Sequence, residues 1–217
     1  MTAVSSAGLT PLAGCLQRRA LDAGSWVDLA RGWLPDPDGL YADLAGSLDW
    51  RQGRVWLYDH YREENRLAAG CSPAAHPVVL AVHKALRRHY GVDFMGVGLS
   101  WYRDGREAMG AHRDTDLRHC EETLIAILTL GARRPWTLTP RSTPRTPGRR
   151  PAADLAPPAG DLLVMGGRAQ VDWLHGVPPA PAAREGRISL QWRWTSGRGR
   201  PERGGGSRAP RRFGSGR

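Results

Sequence analysis

Near its end the chain reads Arg187-Ile188-Ser189-Leu190-Gln191-Trp192-Arg193-Trp194, eight residues that alternate polar and apolar without a break. Successive side chains of a strand point to opposite faces, so this segment is a strand with two unlike faces. One face carries Ile188, Leu190, Trp192 and Trp194 and must be covered by an apolar layer. The other carries Arg187, Ser189, Gln191 and Arg193. If that face meets water, the strand is the ordinary half-buried kind. If it looks into a cavity, its two guanidinium groups need anions there, because an unpaired buried charge is costly. A small dicarboxylate would supply both.

The segments upstream set the class of fold. From Phe94 onward, short apolar stretches are separated by glycine and proline. Strands are predicted over 97–102, 123–130, 136–139, 161–165 and 171–177, with 136–139 pairing back onto 123–130 and a proline- and arginine-rich loop over 141–158. Strands of this length and spacing form a sandwich or barrel. The first half is mixed. A strand is expected over 25–34 and a short one over 54–58. Asp36-Pro37 is a helix start, followed by Leu40, Tyr41, Leu44 and Leu48 at helical spacing. Residues 61–73 are charged and irregular and read as a surface loop. Pro77 opens a second helix with the stripe Val78, Val79, Val82, Leu86 and Tyr90, and Gly91 fits the cap after it. Both helices should lie outside the sheet. The expected class is mainly β with flanking helices.

The 217 residues suffice for one domain with an ample core. We place it at 18–196, after a flexible N-terminus (1–17) and before a disordered Gly/Arg-rich tail (197–217) that cannot bury a core. The net charge of +10 is almost wholly arginine, Lys84 being the only lysine. Arginine's planar fork suits phosphate and carboxylate, so the balance points to nucleic acid; a composition rich in Ala, Gly, Pro and Arg from a GC-rich genome explains it equally. Arg133, Arg134, Arg141, Arg145, Arg149 and Arg150 cluster around the predicted loop and either grip phosphates or are simply solvated. Cys15, Cys71 and Cys120 are odd in number and form no CxxC, which excludes a disulfide framework and a cysteine-rich zinc site. No apolar run approaches the length of a membrane span and no leader pattern is visible. A cytoplasmic protein with no membrane and no obligate protein partner is expected.

The chemistry concentrates in residues 100–114, where His112 and Asp114 stand two apart and share one face if extended. A third metal ligand is available at His175. Two histidines and one carboxylate leave other coordination positions open, which favours Fe(II) with dioxygen and an organic co-substrate over a closed zinc site. Each histidine taken alone reads as an ordinary hydrogen-bonded residue.

The set His112-x-Asp114, then His175, then Arg187 with Arg193 six residues on, resembles the AlkB family of Fe(II)/2-oxoglutarate dioxygenases. Tyr102-Arg-Asp-Gly105 and Gly160-Asp-Leu-Leu-Val-Met-Gly-Gly167 extend the likeness, which runs from about residue 26 to 193; the actinobacterial AlkB-like proteins look like the nearest branch. The resemblance implies a double-stranded β-helix (jelly-roll) core and the cofactors Fe(II), 2-oxoglutarate and O2. It implies that His112, Asp114 and His175 hold the metal and are catalytic. Arg187 would pair with the distal carboxylate of 2-oxoglutarate, with Tyr102 donating a hydrogen bond, and Arg193 would lie near the chelating end. Ser100 and Ser189 stand at co-substrate positions where the family often has asparagine. The implied reaction is oxidative demethylation of N-alkylated nucleobases in DNA, a direct-reversal repair coupled to decarboxylation of 2-oxoglutarate to succinate and CO2. A flipped base would stack between His112 and Trp56 or Tyr58, and Arg66 lies in the stretch where the family places its nucleotide lid. A 2-oxoglutarate oxygenase acting on RNA, protein or a small molecule is the alternative. A non-catalytic binding jelly roll is a third reading, against which the intact ligand and arginine set argues.

Overall fold

The computed structural model describes residues 8–57, 59–142 and 153–199. In chain order its elements are β1 (Gln17–Ala20), β2 (Ser25–Ala30), α1 (Pro37–Ser47), β3 (Arg51–Leu57), β4 (His60–Cys71), α2 (Pro77–Tyr90), β5 (Val97–Tyr102), β6 (Met109–His112), β7 (Thr123–Gly131), β8 (Thr137–Pro140), β9 (Ala153–Asp154), β10 (Leu162–Gly167), the one-turn helix α3 (Ala169–Asp172), β11 (Trp173–Val177) and β12 (Arg187–Thr195). An eight-stranded sheet runs β1-β2-β10-β7-β12-β5-β4-β3 and a four-stranded sheet runs β6-β11-β8-β9. Every pairing is antiparallel. This is the mainly β jelly roll with flanking helices that the sequence led us to expect.

The large sheet has a core on each face. Leu124, Ala126, Leu128 and Leu130 of β7 join Ile188, Leu190 and Trp192 of β12 on one side. Against them pack Leu40 and Leu44 of α1 and Val79, Val82 and Leu86 of α2. Ile125 and Ile127 face the other way, with Leu163 and Met165 of β10, Leu138 of β8 and Trp173 of β11. Period-2 alternation thus gives β7 two apolar faces, which explains its continuous apolar run. The apolar face of β12 turns to the helices, so its polar face turns inward between the sheets. Arg187 is fully buried and Ser189 nearly so; the half-buried alternative, with this face in water, is excluded.

Both long helices begin as their sequences dictate. The Asp36 carboxylate accepts from the Gly39 N–H, with Pro37 in the first turn; such a cap is worth about 1 kcal/mol. Helix α2 ends at Gly91, whose φ of +68° is left-handed and costs glycine nothing.

Four expectations need correction. Residues 61–73 are not a surface loop, since 60–71 form β4, which pairs with β5 through Cys71↔Val97 to Leu67↔Trp101. The segment expected to pair back on β7 belongs to the other sheet. Both edges of β7 are already taken by β10 and β12, so β8 pairs with β11 and β9 instead. The strand expected over 171–177 begins only at Trp173, after α3. Within the expected frayed N-terminus, Leu12 is buried in the helix-side core and the Thr10 carbonyl accepts from the Trp33 indole. The predicted loop 141–158 contains β9, and its residues 143–152 lie outside the described residues, as do 200–217 of the tail.

Candidate metal and co-substrate site

The site forms where the small sheet faces the arginine side of β12. Strand β6 pairs with β11 so that His112 stands opposite His175, bringing the two rings to 4.3 Å between centroids. Asp114 lies past the end of β6 rather than on it. Its Oδ1 is 3.4 Å from His112 Nε2 and 3.7 Å from His175 Nε2. One ligand atom from each of the three residues lies within 4.8 Å of the others. His112 Nδ1 is 2.9 Å from the Gly110 carbonyl. That bond needs the proton on Nδ1, which leaves Nε2 as a lone-pair donor facing the cluster.

The protonation states favour cation binding. Burial raises the Asp114 carboxyl, but the Arg193 guanidinium and the neighbouring His112 and His175 outweigh it and hold the group well below the usual carboxylate range. Burial, aided by His112, pushes His175 down to about 3, so its imidazole is neutral at physiological pH. Trp136 stacks on the His175 ring at 5.8 Å and covers one side of it.

Beside the cluster lies the inward face of β12. Arg193 Nε donates to Asp114 Oδ2 at 2.5 Å, so this arginine neutralises the carboxylate ligand. Arg187 is 0% exposed. Its Nη2 donates to Thr129 Oγ1 at 3.1 Å, while Nε and Nη1 have no hydrogen-bond partner among the described residues. Burial lowers its pKa to about 10, which still leaves it charged near neutrality. A buried guanidinium with two unanswered N–H directions is what a carboxylate fits. Tyr102, its register partner on β5, is buried, and burial raises its phenol. Ser189 pairs in register with Ser100, and Ser100 Oγ accepts from Arg66 Nε at 3.2 Å.

Of the residues expected from sequence, His112, Asp114, His175, Tyr102, Ser100, Arg187, Ser189, Arg193 and Arg66 therefore gather around one interior. Arg66 sits inside it rather than on a separate lid, with Met109 Sδ at 3.7 Å and the Glu64 carboxylate at 3.6 Å. Trp56 lies on β3, opposite Tyr61 in register; its side chain, like Tyr58 entirely, lies outside the described residues. Arg134 is not a phosphate grip. It is 0% exposed and donates to the carbonyls of Asp104, Gly105, Glu107 and Pro178.

The family model described as the 2OG-Fe(II) oxygenase superfamily matches residues 40–193. The chain belongs to this superfamily. Fe(II), 2-oxoglutarate and O2 are the cofactors that superfamily uses, and the His112–Asp114–His175 cluster with Arg187 fits the first two. The oxygenase is similar to the alpha-ketoglutarate-dependent dioxygenase alkB homolog 3 of Bos taurus, 24% identical over 74% of this chain and 62% of the relative. The human alkB homolog 3 is 27% identical over 67% of this chain and 53% of its own length. The human DNA oxidative demethylase ALKBH2 is 29% identical over 54% of this chain and 46% of the relative. These support the AlkB family; the oxygenase spans roughly half to three fifths of the length of these relatives. Among solved structures, a Trichoplax adhaerens prolyl hydroxylase bound to a hypoxia inducible factor peptide fragment superposes with a TM-score of 0.55 at 14% identity, covering 76% of this chain and 82% of that one. At that identity the likeness concerns the fold.

Two residues of the site were not singled out from sequence. Thr129 holds Arg187, and Gln170 is 0% exposed with its Oε1 accepting from the Asp114 N–H at 2.9 Å. Gln170 rides on α3, just ahead of the strand bearing His175, and so ties the Asp114 segment to that strand. A glutamine near a histidine carries no spacing signal; only the tertiary contact reveals it. Among the described residues no helix is long and apolar enough to cross a membrane.

Proposed function

We propose that this oxygenase removes alkyl groups oxidatively from N-alkylated nucleobases in DNA and so restores the base directly. The observation that carries the co-substrate half is Arg187, a buried guanidinium with free N–H groups beside a three-ligand cluster. The nucleobase half rests on similarity to the AlkB homologues, ALKBH2 bearing DNA demethylation in its name.

In this reading His112, Asp114 and His175 hold Fe(II) on one side and leave positions open for ligands. Bound iron supplies the oxidising chemistry, coupled to loss of CO2 from 2-oxoglutarate as succinate forms. Arg187 receives the distal carboxylate, and the Tyr102 hydroxyl donates a second bond to it. The charge of Arg187 is thereby neutralised only when co-substrate is present. Ser189 and Ser100 line the same wall, short enough to contact the co-substrate through water. Arg193 keeps Asp114 ionised and fixes the direction of its carboxylate, near the chelating end of the co-substrate. Arg66, Trp56 and Tyr58 are assigned to the base pocket, with the half-exposed His112 ring as one stacking surface. A hydroxylated N-alkyl carbon then collapses to the free base and formaldehyde.

The test is to incubate the protein with Fe(II), 2-oxoglutarate and an oligonucleotide bearing 1-methyladenine or 3-methylcytosine, and to follow loss of the methyl group by mass. We expect demethylation that disappears in Asp114→Ala while circular dichroism shows the fold retained. Turnover of 2-oxoglutarate without demethylation would transfer the reading to RNA, protein or a small-molecule substrate. Activity surviving in Asp114→Ala would refute the ligand set.

A further inference from the structure

The structure gathers three arginines that the site does not use. Arg113 stands between the ligands His112 and Asp114 in sequence. Its Nη1 donates to the Arg118 carbonyl at 3.0 Å and to the Val171 carbonyl at 3.3 Å, which fixes the guanidinium in place. Arg141, at the exit of β8, places its own Nη1 3.5 Å from the same Val171 carbonyl. Its backbone N–H is held by the Asp172 carbonyl at 2.8 Å. Arg118 is exposed, its carbonyl is one of the two that hold Arg113, and its Nε donates to the His119 ring at 3.1 Å. No carboxylate lies within ion-pair distance of any of the three among the described residues. The acid that faces Arg113, Asp172, is engaged by Arg168, whose Nε is 2.9 Å from its Oδ2.

Most partly exposed arginines elsewhere on this surface behave otherwise. Arg18, Arg31, Arg87, Arg103 and Arg106 each rest on a carboxylate. Two guanidinium groups sharing one carbonyl oxygen, with a third borne by the residue whose carbonyl holds the first, repel one another, and this arrangement is stabilised by an anion with several acceptor oxygens. The group lies at the end of the small sheet where β6 leaves and β11 enters, the end that carries His112 and His175. His112 is the more exposed of those two rings, 32% against 9% for its side chain, so the site opens on this side.

We infer that Arg113, Arg118 and Arg141 form a phosphodiester-binding site at the rim of the active site, seating the nucleic-acid backbone beside the base that enters. This rests on the nucleic-acid reading above and makes it specific. The contacts are to phosphate oxygens, so they position a strand without reading its sequence. Of the cluster expected from sequence, Arg141 is kept, Arg134 is removed and Arg113 and Arg118 are gained through the fold.

The experiment measures binding of the full chain to an unmodified fluorescein-labelled 12-nucleotide single strand by anisotropy, across a series of salt concentrations. No chemistry is involved, so failure here is distinct from failure of demethylation. The variant Arg113→Gln/Arg118→Gln/Arg141→Gln should bind at least about tenfold more weakly at low salt. Its salt slope should shrink by roughly 2, at about 0.7 per lost phosphate contact. Arg113 also braces two carbonyls, so the exposed pair Arg118→Gln/Arg141→Gln is measured beside it and should lose about two thirds of that slope change. The control Arg19→Gln/Lys84→Gln/Arg88→Gln removes the same charge elsewhere and should stay near the parent. An unchanged slope in the first two variants, an equal loss in the control, or no binding by the parent protein would each overturn the site.

Discussion

Arg134 and Arg187 are both completely buried, yet their surroundings are opposite. Arg134 spends its Nη1 and Nη2 groups on four backbone carbonyls from two loops, 104–107 and 178, and only its Nε has no partner among the described residues. Arg187 has one hydroxyl, from Thr129, and two nitrogens without a partner among the described residues. Backbone carbonyls are permanent, so both terminal nitrogens of Arg134 are answered whatever is bound, and the residue acts as a structural clamp. Under the proposed function the partner of Arg187 arrives from outside. Burial alone therefore does not separate the two arginines; whether the terminal nitrogens meet fixed acceptors does, Arg187 Nη1 being unpartnered where both of Arg134 are bonded.

Removing each guanidinium sharpens this contrast most strongly. Arg134→Met removes the side-chain donor from these carbonyls, of which Gly105 keeps the Ala180 N–H, each unanswered one costing about 1–3 kcal/mol, and urea unfolding should show a loss of roughly 3–5 kcal/mol, the range found when a buried charge network is broken. Stability within 1 kcal/mol of the parent would erase the distinction. Arg187→Met removes a charge that the empty pocket does not neutralise, so stability should hold or rise by about 1 kcal/mol. Its affinity for 2-oxoglutarate, followed by anaerobic titration with Fe(II), should fall about 10²–10³-fold, the usual result of truncating one partner of a buried charge pair. A large stability loss with unchanged affinity would place Arg187 in the same class as Arg134.

His175 extends the comparison to pH. Its folded pKa lies near 3, below the ordinary value of about 6.5. Between those values the unfolded chain binds a proton that the folded, metal-free protein refuses. Stability therefore rises with pH through this window and falls on acidification, by up to about 1.4 kcal/mol per pH unit. Unfolding midpoints of metal-free protein at pH 6.5 and 5 should differ accordingly, and His175→Gln should flatten the difference. An unchanged slope in that variant would move the acid sensitivity to another group.

What sequence could reveal follows from the range of the forces involved. The alternation of β12 is a local pattern, and it correctly gave a two-faced strand; which face lay inside depended on α1 and α2, which cover the apolar one. The caps at Asp36 and Gly91 are likewise local. Strand β4 escaped notice because Arg66, Glu64, Arg62 and their neighbours are charged, and the segment's strand character comes from pairing with β5. The pairing of β8 was misjudged since sequence proximity to β7 says nothing about which edges of β7 are free. The gathering of His112, Asp114 and His175 was anticipated through spacing and resemblance together. Gln170 and Thr129 act through single tertiary hydrogen bonds and leave no trace in the pattern.

Strand β6 is four residues long, lies at the edge of the small sheet and, among the described residues, pairs with β11 alone, in a register that shifts between His175 and Val177. It is thus weakly fastened to its sheet, and it carries His112 and leads into Asp114. A cation held by His112, Asp114 and His175 would cross-link that edge to the strand beside it, much as a rivet closes a seam. Under the proposed function, metal supply would then bear on mechanical integrity as well as on activity. Protein starved of iron would open first at residues 109–114 and present them to proteases, so that the cell's loss of the unmetallated form would follow from the same three side chains that make the loaded form an oxidant.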